Sequence, residues 1–230
     1  SSISWFMRCL AEPIARRANR EDQCTGRFWE GRFKCQRLLD ETAILACSVY
    51  VDLNPIRAAV AETPESSEYT SAHERIHAGD ERTIPAEPQE QLAGRGKKRR
   101  KPKRRLKPLR VRDDWLSPVE LNEKREHEDS GPVRRASSRG FLPMNLRQYL
   151  QLLDWTGRQL RPDKRGAIPA DVAPILEWLQ LSGETWVDLI ENFGRWFRRA
   201  AGTAESLAQE AVRRGQGWMH GVSHGRVLAG

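Results

Sequence analysis

The chain has 230 residues, with 39 Lys or Arg against 31 Asp or Glu, for a formal net charge of +8. A hydrophobic fraction of 38% and a mean hydropathy of −0.70 are low for one large packed core, and no apolar run approaches the ~20 residues that span a bilayer. These numbers leave one or two domains, without membrane association and without a recognisable secretory leader. Cys9, Cys24, Cys35 and Cys47 show no CxxC pairing, so they read as reduced thiols and not as a disulfide framework or a metal site.

In chain order, residues 3–19 are expected to form a helix, and Gly26–Lys34 (GRFWEGRFK) an extended segment in which Phe28, Trp29 and Phe33 read as packing residues more than base-stacking ones. Asp40 is a candidate N-cap for a helix over Glu41–Leu53, a stretch with few helix breakers. Pro55 disfavours helical geometry at the residue before it, so this helix is expected to end at Asn54. Tyr50 and Asn54 then stand at i and i+4. Ala43, Ala46 and Cys47 lie on the same side one and two turns earlier, and such small residues beside a phenol leave room for a nucleic-acid backbone. The plain alternative is a tyrosine on a packed helix face followed by an ordinary Asn-Pro helix stop.

Arg27, Phe28, Trp29 and Glu30, followed in order by Tyr50, Asn54, Pro55 and Arg57, give this stretch a second reading. The block resembles the second half of the catalytic domain of REP-associated tyrosine transposases, the single-tyrosine branch of the HUH nucleases, in which an Arg-Phe-Trp-Glu segment precedes a helix carrying Tyr-x-x-x-Asn-Pro-x-(Arg/Lys). The resemblance covers residues 3–70. It implies an incomplete ferredoxin-like HUH nuclease domain in a mainly α chain with a small β component. It implies that Tyr50 attacks a DNA phosphodiester and forms a 5′-phosphotyrosine link, on single-stranded or hairpin-ended DNA. It implies a divalent metal, Mg²⁺ or Mn²⁺, that polarises the scissile phosphate. The ligands implied are two His of a His-hydrophobic-His strand and the polar residue four positions after the tyrosine, here Asn54. A bacterial, cytoplasmic, nucleoid-associated protein follows from the same resemblance.

The departure from the pattern is in the histidines. His73, His77, His127, His220 and His224 include no His-hydrophobic-His triplet. In the family position, Trp5–Asn19 is the helix that follows the histidine strand. The expectation is therefore a fragment or truncated reading frame with the nucleophile present, most of the metal site absent, and no cleavage by the chain alone. The alternative is a non-catalytic DNA-binding remnant. A His-hydrophobic-His strand encoded upstream supports the first, a genuine start codon at Ser1 the second.

After a nuclease part at 1–70, residues 71–139 read as a disordered linker, acidic and then basic. Residues 61–92 hold eight acids against two arginines, whereas 95–112 hold twelve Lys/Arg and no acid. Setting those twelve charges against the net +8 leaves −4 elsewhere, so the high pI of 9.7 comes from one tract. Like charges this dense repel and bury almost nothing, and Pro102 and Pro108 further oppose a helix. The tract reads as a localisation signal, as a solvated linker facing the acidic stretch, or as a phosphate-tracking DNA contact, the preferred reading. Its candidate contacts are Lys97, Lys98, Arg99, Arg100, Lys101, Lys103, Arg104, Arg105 and Lys107. Binding of this kind is sequence-independent, because the tract offers no aromatic for stacking and no scaffold for groove reading.

His73-Glu74-Arg75-Ile76-His77 fits the H-E-x-x-H pattern of zinc peptidases. Its polar surroundings and nearby prolines argue against a long buried helix, so zinc is not expected. His220 and His224 have helical spacing, but Gly217, Gly221 and Gly225 oppose a stable helix.

Residues 140–225 regain apolar periodicity and are expected to form a small helical bundle. Leu146, Tyr149, Leu150, Leu153 and Gly157 mark one face of a helix capped by Asn145; Val172, Ile175, Leu176 and Leu179 mark a short second helix after Pro169. Trp186, Leu189, Ile190, Phe193 and Phe197 mark a third, opened by Ser182, and Leu207, Ala208 and Ala211 a fourth, closed by Gly215. Basic residues follow the first (Arg158, Arg161, Lys164, Arg165) and third (Arg195, Arg198, Arg199), where a solvated face is the preferred reading over a DNA contact.

Overall fold

The structure is a computed structural model that describes residues 2–83, 115–121, 139–161 and 169–229. The basic tract and its nine candidate contacts, Lys97 to Lys107, lie outside these residues, as does His127. The described chain is mainly helical and falls into two compact units, Ser1–Arg37 and Leu38–Gly230. Among the described residues no helix is long and apolar enough to cross a membrane.

The first unit is built on helix α1 (Ile3–Glu21), which contains Pro13. Arg16 pairs with Glu12 and Arg17 with Glu21 at i,i+4 spacing, exposed contacts worth about 0.3–0.5 kcal/mol each. No residue of α1 is buried, and Ile3, Trp5, Phe6, Leu10 and Ile14 stand exposed. The chain then turns back: Asn19 Nδ2 donates to the Gly26 carbonyl at 3.0 Å and Trp29 Nε1 to the Ala11 carbonyl at 2.9 Å. Gly26–Lys34 forms no strand. Phe28 and Trp29 touch edge to face, and both remain 43% exposed and Phe33 40%.

In the second unit, strand β1 (Arg37–Leu38) is paired with β2 (Ala200–Ala201). Helix α2 (Glu41–Asp52) is capped as expected, Asp40 Oδ1 accepting from the Ala43 N–H at 2.9 Å. Its Oδ2 accepts from the Thr203 N–H at 2.7 Å, and Thr203 is itself the N-cap of α8 (Ala204–Arg213). Leu53 (φ −88°, ψ 0°) separates α2 from the short α3 (Asn54–Arg57). Asn54 therefore opens the next helix instead of ending the first, because Pro55 is well tolerated in a helix's first turn.

A 3₁₀ turn at Pro64–Ser66 leads into α4 (Ser71–Thr83). This helix occupies the beginning of the expected linker. Its buried residues Ala72, Arg75 and Ala78 recur every three positions, and such small or polar side chains give little hydropathy signal. Beyond it, Leu121 N–H donates to Leu142 O and Leu142 N–H to Val119 O, both at 2.8 Å.

The expected C-terminal helices follow. They are α5 (Leu146–Gln159), with an Asn145–Gln148 capping box, α6 (Ala173–Trp178), and α7 (Gly183–Trp196), capped by Ser182. α8 comes next, closed by Gly215 at φ +64°, and then a single turn α9 (Val222–Gly225). That last turn forms despite its glycines, and the His224 ring stacks on Trp196 at 4.7 Å.

The core does not respect the expected boundaries at 70 and 140. Leu45 and Val49 from α2 and Leu53 just beyond it join Leu152 and Leu153 from α5, Trp186, Leu189, Ile190 and Phe193 from α7 and Leu207 from α8, each at most 1% exposed. α2 packs directly on α7. α5 comes close to the α2–α3 junction at Gly157, where a Cβ would lie 3.2 Å from Leu53 Cδ2. The C-terminal helices and the Tyr50 helix thus share one hydrophobic interior, whose burial is the dominant stabilising term.

Candidate functional site

Tyr50 occupies the last turn of α2, half-buried against α7. Its ring lies 5.4 Å from that of Phe193, tilted by 39°. Its hydroxyl crosses the backbone of α7 at Gly194: a Cβ built there would stand 2.7 Å from the phenolic oxygen. The Arg57 guanidinium sits over the Tyr50 ring, 4.2 Å from the centroid, a cation–π arrangement. Arg57 also donates to the Glu191 carbonyl at 3.2 Å, tying α3 to α7.

The room expected beside the phenol differs in place. Ala43 and Ala46 are fully buried and Cys47 packs against the core, where burial pushes its thiol up. The side of α2 that carries these small residues is filled with protein, because the C-terminal helices cover it. The exposed positions near Tyr50 are instead Arg57 and, on α7, Glu191, Gly194 and Arg195.

Asn54 keeps its place one turn beyond Tyr50, exposed at the start of α3. Among the described residues no group of three or more His, Cys, Asp or Glu converges in a way that could hold an ion. One neutral amide oxygen does not satisfy Mg²⁺ or Mn²⁺, which take several hard oxygen or imidazole ligands. The residues described here do not fit the metal that the resemblance implies.

The H-E-x-x-H segment does lie on a helix. α4 brings the His73 and His77 rings to 4.4 Å, with His77 Nε2 3.1 Å from the Glu65 carbonyl. Glu74 is engaged by the Trp115 indole N–H. No third ligand joins the pair among the described residues.

A polar centre that sequence reading missed lies behind α2. Asp52 is 2% exposed and accepts from Tyr149 Oη at 2.6 Å, from Ser71 N–H at 3.2 Å and from Ser71 Oγ at 3.0 Å. Burial, reinforced by the charge and the hydrogen bond of Asp52, raises the Tyr149 phenol well above its ordinary value, and the charge of the buried Arg75 opposes this. Arg75 also donates to the Ser117 carbonyl at 2.8 Å. An aspartate within Tyr-Val-Asp-Leu gave the signal, since a carboxylate in so apolar a run needs distant partners.

A cleft of about 550 Å³ opens between the 3₁₀ turn and α5, lined by Thr63, Pro64, Gly157, Arg158 and Arg161 among others. Arg158 is paired with Asp154 at 2.8 Å and Arg161 donates to the Glu62 carbonyl, so the basic pair here is engaged by the protein. Arg195, Arg198 and Arg199, by contrast, are exposed at the end of α7, just beyond Gly194. Compared with known proteins, the chain matches no family model, no curated protein and no solved structure.

Proposed function

We propose that the chain carries the nucleophile of a DNA strand transferase of the REP-associated tyrosine transposase type. In this reading residues 3–70 are the second half of a ferredoxin-like nuclease domain, and the substrate is single-stranded or hairpin-ended DNA in the bacterial nucleoid. One observation supports it above the others: Tyr50 is backed by α7 while a cation, Arg57, stands at its ring on the solvent side. A phosphodiester approaching Tyr50 would meet that cation.

The reaction is a transesterification. The Tyr50 phenolic oxygen bonds to phosphorus and the bond from phosphorus to the 3′ oxygen breaks. The phenol loses its proton, the departing 3′ oxygen gains one, and the strand remains attached as a 5′-phosphotyrosine. Covalent catalysis of this kind divides one difficult transfer into two easier ones and conserves the bond for rejoining. Mg²⁺ or Mn²⁺ in the complete domain would supply Lewis-acid polarisation of the phosphate, and no step by this chain's residues runs through it.

The second reading, a non-catalytic DNA-binding remnant, is favoured by the twelve cations of residues 95–112 alone. The deciding experiment joins the chain to the sequence encoded upstream of Ser1 and incubates it with hairpin-ended DNA and Mg²⁺ or Mn²⁺. Mass spectrometry should find a DNA-linked peptide containing Tyr50, absent in Tyr50→Phe. An adduct on Tyr69 or Tyr149, or none at all with intact DNA binding, would replace this reading by the second.

A further inference from the structure

The turn of α7 that meets Tyr50 lies far outside residues 3–70, on which the resemblance rests. Two features converge there. Gly194 is in the last turn of α7, a helical position where glycine is less favourable than alanine. Its bareness has a use: a side chain would come within 2.7 Å of the Tyr50 Oη and 3.4 Å of Cζ. Arg57 is exposed, yet it is held twice, its guanidinium carbon 4.2 Å from the Tyr50 ring centroid and one N–H on the Glu191 carbonyl. A guanidinium carries five N–H donors in a rigid plane. The bond to Glu191 uses one, and Arg57 is solvent-exposed, so a ligand at the surface can reach the others.

We propose that Arg57, fixed by the backbone of α7, seats a phosphodiester of the DNA strand beside Tyr50, and that Gly194 keeps α7 bare so that the phenol hydroxyl lies next to that seat. This deepens the reading of Tyr50 as nucleophile and rests on it. A planar fork that also stacks on an aromatic suits two phosphate oxygens at once, which an ammonium does not. Arg195, Arg198 and Arg199 carry positive charge onward from Gly194, so neighbouring phosphates have a track along the end of α7. The C-terminal helices are then part of the strand-binding site, not an appendage to it.

Acetylation of tyrosines by N-acetylimidazole, read peptide by peptide, tests this on the chain as it stands. Tyr69, 97% exposed, is the internal control. A short oligothymidylate at low salt should protect Tyr50 and leave Tyr69 reactive. Arg57→Gln should raise the oligonucleotide concentration for half-protection by roughly tenfold, and Arg57→Lys should recover only part of that loss. The basic tract is present in every variant, so the difference belongs to Arg57. Gly194→Ala, whose Cβ would stand 2.7 Å from the Tyr50 oxygen and displace the phenol, should alter Tyr50 acetylation without DNA while Tyr69 is unchanged. Undiminished protection in Arg57→Gln, or equal protection by inorganic phosphate at the same concentration, would overturn the seat. The two readings fail separately. If the adduct in the extended chain forms equally well with Arg57→Gln, the nucleophile stands and the seat falls. If protection depends on Arg57 but no adduct ever reaches Tyr50, the seat stands and the nucleophile falls.

Discussion

Tyr149 donates its hydroxyl to Asp52 Oδ2 at 2.6 Å across 97 residues of chain, with both side chains buried. The bond fastens α5 to the end of the Tyr50 helix, and Ser71 at the start of α4 completes the carboxylate's partners.

Tyr149→Phe should therefore destabilise the second unit by about 2 kcal/mol, the scale of a hydrogen bond to a charged group. The pH dependence has a definite sign. The folded-state phenol is raised well above 10.0, so the stability it contributes is fully present below that value. Above it the unfolded chain ionises while the folded one holds its proton, and stability falls by up to about 1.4 kcal/mol per pH unit. Urea unfolding on either side of that value should show a steeper alkaline decline for the native chain than for Tyr149→Phe.

Asp40→Ala should cost about 2 kcal/mol, more than an ordinary cap. Its two oxygens serve two helices, Oδ1 the start of α2 and Oδ2 the start of α8. Asp40→Asn, which keeps one acceptor, should lose about half as much by urea unfolding. Equal losses in the two variants would mean that only one of the bonds contributes.

DNA binding through residues 95–112 should be salt-sensitive and tolerant of sequence. If ~6 of the charges touch phosphates, log K should fall against log salt with a slope of roughly −5 on duplex DNA and somewhat less on single strands. Replacing Lys97, Lys98, Arg99, Arg100 and Lys101 with Ser should flatten that slope. An unchanged slope would assign binding elsewhere, with Arg57 and the end of α7 the next surface to test.

The His73–His77 pair should not hold zinc stoichiometrically, since no third ligand accompanies it among the described residues. Metal analysis of the purified chain and of His73→Ala should give the same sub-stoichiometric content. One zinc per chain lost in the variant would reinstate a metal site on α4.

Local signals in the sequence were reliable where the chemistry is local. Asn145, Ser182 and Gly215 bound helices as their cap preferences dictate, and Asp40 begins α2 where its side chain demands. What the sequence withheld depends on distant partners. α2 is apolar on nearly every side, with Ile44, Leu45, Val49 and Val51, so its periodicity names no face and hides α7 as its neighbour. Gly194 reads as a blemish in a helix until the Tyr50 hydroxyl is found above it. α4 was hidden by the same logic reversed: among the described side chains, the ones it buries are two alanines and an arginine.

α1 offers a built-in clock for the integrity of the protein. A helix that buries none of its residues and carries Pro13 lacks the apolar packing that stabilises most helices in proteins, and it is held by its own hydrogen bonds, exposed ion pairs and two hydrogen bonds to the segment that follows it. Arg8, Arg16, Arg17 and Arg20 are strung along it, within reach of trypsin whenever the turns fray. Limited digestion should clip there as well as in the basic tract at 95–112, and the α1 cuts should release the segment before Leu38. Anything that comes to cover the apolar stripe of α1 would announce itself as a delay in the cuts within that helix.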